Sequence, residues 1–311
     1  METLRPGVWG IVATPFDADT LALDGPSLRS LVQAYRSLAD AEESKPAQER
    51  IVSGVVALGV FGEASRLDAG ERVAVVEQVL EAAGSLDVVV GIAFAEPSLA
   101  LAEAELIARS HPGRVRAVMV QINDADPEVL ARHLSTVHEA CGLPIVVQDY
   151  PANTGVRITS AALANAVNTL SFVVAVKSES PPTSTAIAQL APVIGNVPVF
   201  GGLGGVGLLD ELYAGSAGAM TGFSYPEGLV AIVSAWRNGG FSAARDEIAR
   251  WLPLMNFEGQ AVIGLGIRKE NLRLRGVIAS AVVRSPGVPF PAELASCAVE
   301  HRQALTALGY A

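Results

Sequence analysis

The chain has 311 residues, half of them hydrophobic, and a formal net charge of −10, a balance that argues against nucleic acid or an anionic membrane surface as partner. Its two cysteines, Cys141 and Cys297, give no disulfide framework. The opening Met1-Glu2-Thr3-Leu4-Arg5-Pro6 lacks the regions of a secretory signal, and the longest apolar runs are broken by glycine well short of a membrane span, so a reducing cytoplasm is the expected home.

Taken in chain order, short Val/Ile-rich runs at 7–16, 52–61, 88–94, 115–122, 143–147, 172–176, 197–200 and 218–223 predict eight strands. Amphipathic stretches between them, at 72–83, 99–109, 127–139 and 184–194 among others, predict helices. Alternation of this kind implies parallel pairing, and strands that are apolar throughout imply burial on both faces. Eight units in a chain of this length point to an α/β fold, a closed (β/α)₈ TIM barrel with a C-terminal helical extension; an open doubly wound sheet is the alternative. Segment 40–50 is charged, carries Lys45-Pro46, and reads as an exposed insertion after the first helix. The long, nearly uncharged stretch 212–236 reads as strand, loop and helix. Helical patterns at 229–237, 243–253, 263–277 and 292–308 follow. Residues 1–228 are therefore expected to form the barrel core and 229–311 its last helix and an extension packed on it, all one structural unit.

The chain has only three lysines: Lys45, Lys177 and Lys269. Lys45 lies in the charged insertion, and Lys269, in Arg268-Lys269-Glu270, reads as an ordinary surface charge cluster. Lys177 closes the apolar run Phe172-Val173-Val174-Ala175-Val176-Lys177. An ammonium at the end of a buried strand is costly unless paired or neutral, and the neutral amine is the nucleophile that attacks a carbonyl. In a barrel the C-terminal strand ends are where active sites form. A lysine that snorkels from the barrel mouth, or pairs structurally, fits the position equally well. Strand alternation places Glu179 on the face of Lys177, where a carboxylate could either move a proton beside an iminium or form a plain ion pair. Gln148 and Tyr150 share a face at the end of strand five. Either could reach a substrate, and Tyr150 fits as well packed under a loop. Gly59-Val60-Phe61-Gly62-Glu63 and Phe200-Gly201-Gly202-Leu203-Gly204-Gly205 are glycine-rich strand ends whose backbone N–H groups could approach an anion. Ser65, followed by Asp68, reads as a helix N-cap. His111, His133, His138 and His301 show no metal spacing, and neither a phosphate-binding P-loop nor a nucleophile elbow is present, so a metal enzyme is not expected.

The order Ala13-Thr14-Pro15-Phe16, Gly59-x-x-Gly62-Glu63, Pro151-x-x-Thr154-Gly155, a lysine closing strand six and a glycine-rich turn after strand seven resembles the dihydrodipicolinate synthase/N-acetylneuraminate lyase superfamily, over nearly the whole chain. The resemblance implies a (β/α)₈ barrel with C-terminal helices, a homo-oligomer (tetramer or dimer), no cofactor, and a Schiff base between Lys177 and a 2-keto acid. The chain departs from the superfamily's pattern at three places. Val60 and Phe61 stand where that pattern has two threonines, Gln148 where it has a tyrosine, and Asn153 where it has an arginine. Gln148-Asp149-x-Pro151, Lys177-x-Glu179, Gly218-Ala219-Met220-Thr221-Gly222 and Trp251-Leu252-Pro253-Leu254 look like the 2-keto-3-deoxy-L-arabonate dehydratase type. That likeness makes Lys177 the nucleophile and Glu179 the acid/base, with Tyr150 as a further catalytic candidate. Phe61, Gly62, Glu63, Gln148, Gly202, Leu203 and Thr221 become the substrate-binding candidates. It implies a 2-keto-3-deoxy sugar acid dehydratase or a pyruvate-type aldolase. 4-Hydroxy-tetrahydrodipicolinate synthase activity proper and a non-catalytic barrel that binds a small anion are the alternatives.

Overall fold

A computed structural model describes residues 1–310; Ala311, the last residue of the expected extension, lies outside the described residues. The chain runs β1 (Gly7–Ile11), α1 (Gly25–Asp40), β2 (Val52–Ala57), α2 (Ala69–Ala83), β3 (Asp87–Gly91), α3 (Pro97–Ser110), β4 (Ala117–Gln121), α4 (Pro127–Cys141), β5 (Ile145–Asp149), the single turn α5 (Pro151–Thr154), α6 (Ser160–Asn168), β6 (Val173–Ser178), α7 (Thr183–Leu190), β7 (Val199–Phe200), α8 (Leu208–Tyr213) and β8 (Gly218–Thr221). Three further helices follow: α9 (Pro226–Glu258), α10 (Gly264–Leu274) and α11 (Ala295–Ala307).

The strands are all parallel and ordered β7-β6-β5-β4-β3-β2-β1-β8. A parallel bridge between Gly201 and Ala219, with Met220 N–H donating to Gly201 O at 2.9 Å, closes the ring. Each strand sends at least one side chain into the barrel's apolar centre: Trp9, Val56, Val89, Met119, Val146, Val174, Phe200 and Met220, in strand order, joined by Ile11, Ala117 and Ala175. The outward residues pack under the helices in separate clusters, as expected of strands covered on both sides.

The register decides what stands above that centre. A shift at the base of β6 pairs Ile145 with Val173 but Val146 with Ala175, so both Val174 and Ala175 face the interior. This one-residue irregularity resets the alternation. Val176 then packs outward among the helices, and Lys177 falls beside Gln148, which in turn pairs with Gln121. A polar row of Gln121, Gln148 and Lys177 thus caps an apolar barrel at its C-terminal end, the end where barrel enzymes build their sites.

Four expectations need correction. β7 has two residues rather than the four of 197–200, because Pro198 has no N–H for a ladder and Gly201-Gly202 follows at once. Segment 40–50 is exposed except for the half-buried Arg50 and for Glu42, which is buried and accepts from Ile51 N–H at 2.7 Å and Val52 N–H at 3.2 Å, pinning the entry to β2. Lys269 is no surface residue. On α10 it is fully buried, ion-paired to Glu63, and its Nζ donates to Val282 O at 2.8 Å. Burial is the main influence on its ammonium and lowers its pKa. Removing Lys269 leaves the buried Glu63 carboxylate with Arg66 as its remaining cationic partner, so Lys269→Met is expected to cost about 3 kcal/mol, the low end for a broken buried pair, read as a fall in the denaturation midpoint.

The predicted helices 229–237 and 243–253 are one element, α9, bent where Gly240 takes φ 64° and ψ −153°. Among the described residues no helix is long and apolar enough to cross a membrane.

Candidate active site

Lys177 is 5% exposed, and its Nζ lies 2.8 Å from Glu179 Oε2. The same carboxylate oxygen accepts from Gln148 Nε2 at 2.8 Å, and Oε1 accepts from Leu203 N–H at 3.2 Å. The Glu179 backbone N–H donates to Asp149 O at 2.8 Å, which continues the β5–β6 ladder one residue past the strand. The Glu179 carboxylate is therefore fixed by two side chains and one backbone N–H, from three strand ends.

The loop after β7 is shaped for this contact. A Cβ on Gly202 would stand 2.3 Å from Glu179 Oε1, so only glycine fits there. Leu203 adopts φ 47°, a left-handed conformation that a leucine rarely takes, and its N–H is the one that reaches Glu179. Thr221 Oγ1 accepts from Gly204 N–H at 2.8 Å and ties this loop to β8. A cavity at the barrel mouth is lined by Lys177, Glu179, Gln148, Tyr150, Phe61 and Thr221, with Leu203 on its wall. The structure thus brings together most of the residues expected in the site. Tyr150 precedes the turn α5; burial, and then the nearby Glu179, push its phenol upward.

Gly62 and Glu63 lie outside the lining of this cavity. Val60–Gly62 form a 3₁₀ turn, and Glu63 ends it at φ 54°. Its carboxylate accepts from Arg66 Nη1 at 2.7 Å and Arg284 N–H at 3.0 Å and pairs with Lys269, so it anchors the loop to the C-terminal segment. Gly62 is held on its other side: Thr14 Oγ1 donates to Gly62 O at 2.6 Å. Asp68, not Ser65, caps α2, in a reciprocal capping box with Glu71; Ser65 instead lines a second, more polar chamber.

That chamber adjoins the first through Gln148 and also holds Gln121 and Asn153, where Asn153 Nδ2 donates to Gln121 Oε1 at 2.8 Å. Sequence reasoning missed Gln121, although the alternation Ala117, Met119, Gln121 carried the signal. It also missed Arg268, which no strand pattern could place. Among the described residues no three His, Cys, Asp or Glu side chains gather in a way that could hold a metal ion.

Two buried carboxyls flank Glu179 from behind. Asp149 is pushed up to about 6 by burial and then by Glu179, and its Oδ1 has no partner. Glu211 is pushed up to about 7, chiefly by burial, while accepting from Thr183 Oγ1 at 2.6 Å. A carboxyl raised by folding keeps its proton where the unfolded chain has lost it. Its contribution to stability is full below about 4.5, the ordinary glutamate value, and is lost as pH rises through about 7. Glu211→Gln is expected to remove a decline on the order of 3 kcal/mol across that window, measured by denaturant unfolding at stepped pH.

The profile of the Dihydrodipicolinate synthetase family matches residues 6–301. The chain belongs to that family. It is 30% identical over 287 residues, 90% of its own length and 88% of the relative's, to L-2-keto-3-deoxyarabonate dehydratase of Azospirillum brasilense. It is 28% identical over 256 residues, 79% of its length and 80% of the relative's, to 4-hydroxy-tetrahydrodipicolinate synthase of Kineococcus radiotolerans. Among solved structures, dihydrodipicolinate synthase from Rhodopseudomonas palustris superposes with a TM-score of 0.84 at 26% identity, covering 98% of this chain and 99% of that one. N-acetylneuraminate lyase of Proteus mirabilis shares the fold, with a TM-score of 0.78 at 17% identity over 96% of this chain and 98% of that one.

Proposed function

We propose that this member of the dihydrodipicolinate synthetase family is a lyase that forms a Schiff base between Lys177 and a 2-keto acid, and that its substrate is a 2-keto-3-deoxy sugar acid, which it dehydrates. The observation that carries the reading is the contact of Lys177 Nζ with Glu179 Oε2 at 2.8 Å, in a cavity at the barrel mouth. A carboxylate so placed is within hydrogen-bond reach of the nitrogen and beside the carbons next to it.

In this reading Glu179 takes a proton from the Lys177 ammonium, and the freed amine adds to the C2 carbonyl. Glu179 returns the proton to the carbinolamine oxygen, which leaves as water and gives the iminium. The carboxylate then removes a C3 proton, and that electron pair forms the C2–C3 double bond of an enamine. The enamine expels the C4 hydroxyl, which leaves as water with the proton carried by Glu179. Hydrolysis of the imine releases the product and Lys177. Gln148 and Leu203 N–H hold the carboxylate in place throughout. The 3₁₀ turn leaves the N–H groups of Val60 and Phe61 without backbone partners, which suits them to the keto-acid carboxylate.

A retro-aldol cleavage from the same imine is the second reading, and the apolar Phe61 and Leu203 at the cavity wall favour it for an apolar aldehyde. For synthase activity proper, Val60 and Phe61 supply no hydroxyl at the strand-two turn. The resemblance further supports a homo-oligomer, dimer or tetramer, which sedimentation velocity reads directly.

Mass spectrometry of the products from 2-keto-3-deoxy-L-arabonate tests the reading. Loss of one water with no fragmentation is expected. Pyruvate with an aldehyde would move the assignment to the aldolase, and no turnover of this or any other keto acid in a broad panel would overturn both.

A further inference from the structure

Arg268 lies beside the site on α10 and is only 3% exposed. Its Nε donates to Glu258 Oε2 at 3.1 Å, and its guanidinium sits 3.9 Å above the centre of the Phe61 ring. Glu258 is already well supplied. It accepts from Ser224 N–H at 3.2 Å, from Asn271 Nδ2 at 2.9 Å and from the Ser224 hydroxyl. The two terminal nitrogens of Arg268 have no partner from this carboxylate, and Nη1 is a buried donor with no hydrogen bond at all.

Two glycines leave those nitrogens clear. A Cβ on Gly222 would stand 3.0 Å from Nη1, and a Cβ on Gly204 would stand 3.2 Å from Nη2. Gly222 lines the lysine cavity, and Gly204 lines a larger adjoining cavity with Arg268 itself. Val60, Phe61, Tyr150 and Leu203 line both, so the two spaces meet at these side chains. The other cation on the larger cavity, Arg66, is engaged by Glu63 at 2.7 Å. A buried guanidinium with open donors costs free energy until something accepts from them, and its planar fork matches an oxyanion.

We infer that Arg268 is a specificity-determining residue that receives a terminal oxyanion, carboxylate or phosphate, at the end of the substrate remote from the keto group. Phe61 then acts as the platform that holds the guanidinium in position. The inference rests on the Schiff-base reading for its reaction and goes beyond it in assigning the far end of the substrate a charge.

The test is borohydride trapping of the full-length protein with two acids of equal length, 2-oxoglutarate and 2-oxopentanoate, which differ only in the terminal carboxylate. A terminally phosphorylated 2-keto-3-deoxy sugar acid forms the third arm. Wild-type protein is expected to reach half-maximal trapping with the better charged-end acid at a concentration at least about tenfold lower than with 2-oxopentanoate. Which charged acid wins identifies the group. Arg268→Gln should abolish the preference and Arg268→Lys should restore part of it. Equal trapping of all three by wild-type protein would overturn the inference and leave the imine chemistry intact, and this comparison needs no variant to fold. If none of the acids, pyruvate included, is trapped, the Schiff-base reading fails. Thermal shift then decides the oxyanion site alone: stabilisation of the wild type by 2-oxoglutarate, lost in Arg268→Gln, upholds it, and no stabilisation overturns it.

Discussion

Lys177→Arg is expected to leave a folded protein whose turnover falls at least about a thousandfold. The guanidinium keeps the positive charge beside Glu179 but cannot lose a proton to become a nucleophile. Without the amine no imine forms, and only binding and the remaining proton-transfer machinery are left to act. A structural ion pair gives a different outcome. If Lys177 served only to neutralise Glu179, arginine would largely preserve function, and the effect would appear in the unfolding midpoint instead. Turnover and chemical denaturation measured on the same preparation separate the two.

Glu179→Gln should have the next largest effect, a loss of about 10²- to 10⁴-fold in turnover. Glutamine has the shape of the carboxylate but cannot take a proton, so imine formation with pyruvate should persist, slowed, while exchange of the C3 protons with deuterium from solvent should stop. Exchange is the informative readout. The Glu179 carboxylate accepts from Lys177, Gln148 and Leu203, and an amide cannot accept from all of them, so some loss of stability follows from the substitution alone. A variant that is less stable but still exchanges the C3 protons at the wild-type rate would remove Glu179 from the chemistry.

The barrel was legible because strands buried on both faces must be apolar throughout, and eight such runs separated by amphipathic stretches leave few alternatives to closure. The strand-end residues were legible for a related reason: a charged or amide side chain at the end of an apolar run has nowhere to go but the mouth. Gln148, Lys177 and Glu179 all follow from that. What alternation alone did not specify was the phase. Counted from Val174, which faces the interior, strict alternation would turn Lys177 outward; the register shift opposite Ile145 and Val146 turns it in. Contacts between segments far apart in sequence were not legible either. Lys269 sits in a run of charged residues that looks like surface, and its partner Glu63 lies 206 positions away. Arg268 reaches the site for the same reason, because α10 folds back across the barrel mouth. Once Lys269 occupies Glu63, the glutamate expected to face substrate becomes an anchor for the loop that does.

Peptide mapping after borohydride reduction in the presence of pyruvate tests the central claim most directly, because the chain has only three lysines and each is easily resolved. The account predicts a single reduced adduct on the peptide that contains Lys177, absent in Lys177→Arg. An adduct on Lys45 or Lys269 instead, or none on folded protein with pyruvate or any other 2-keto acid, would contradict it.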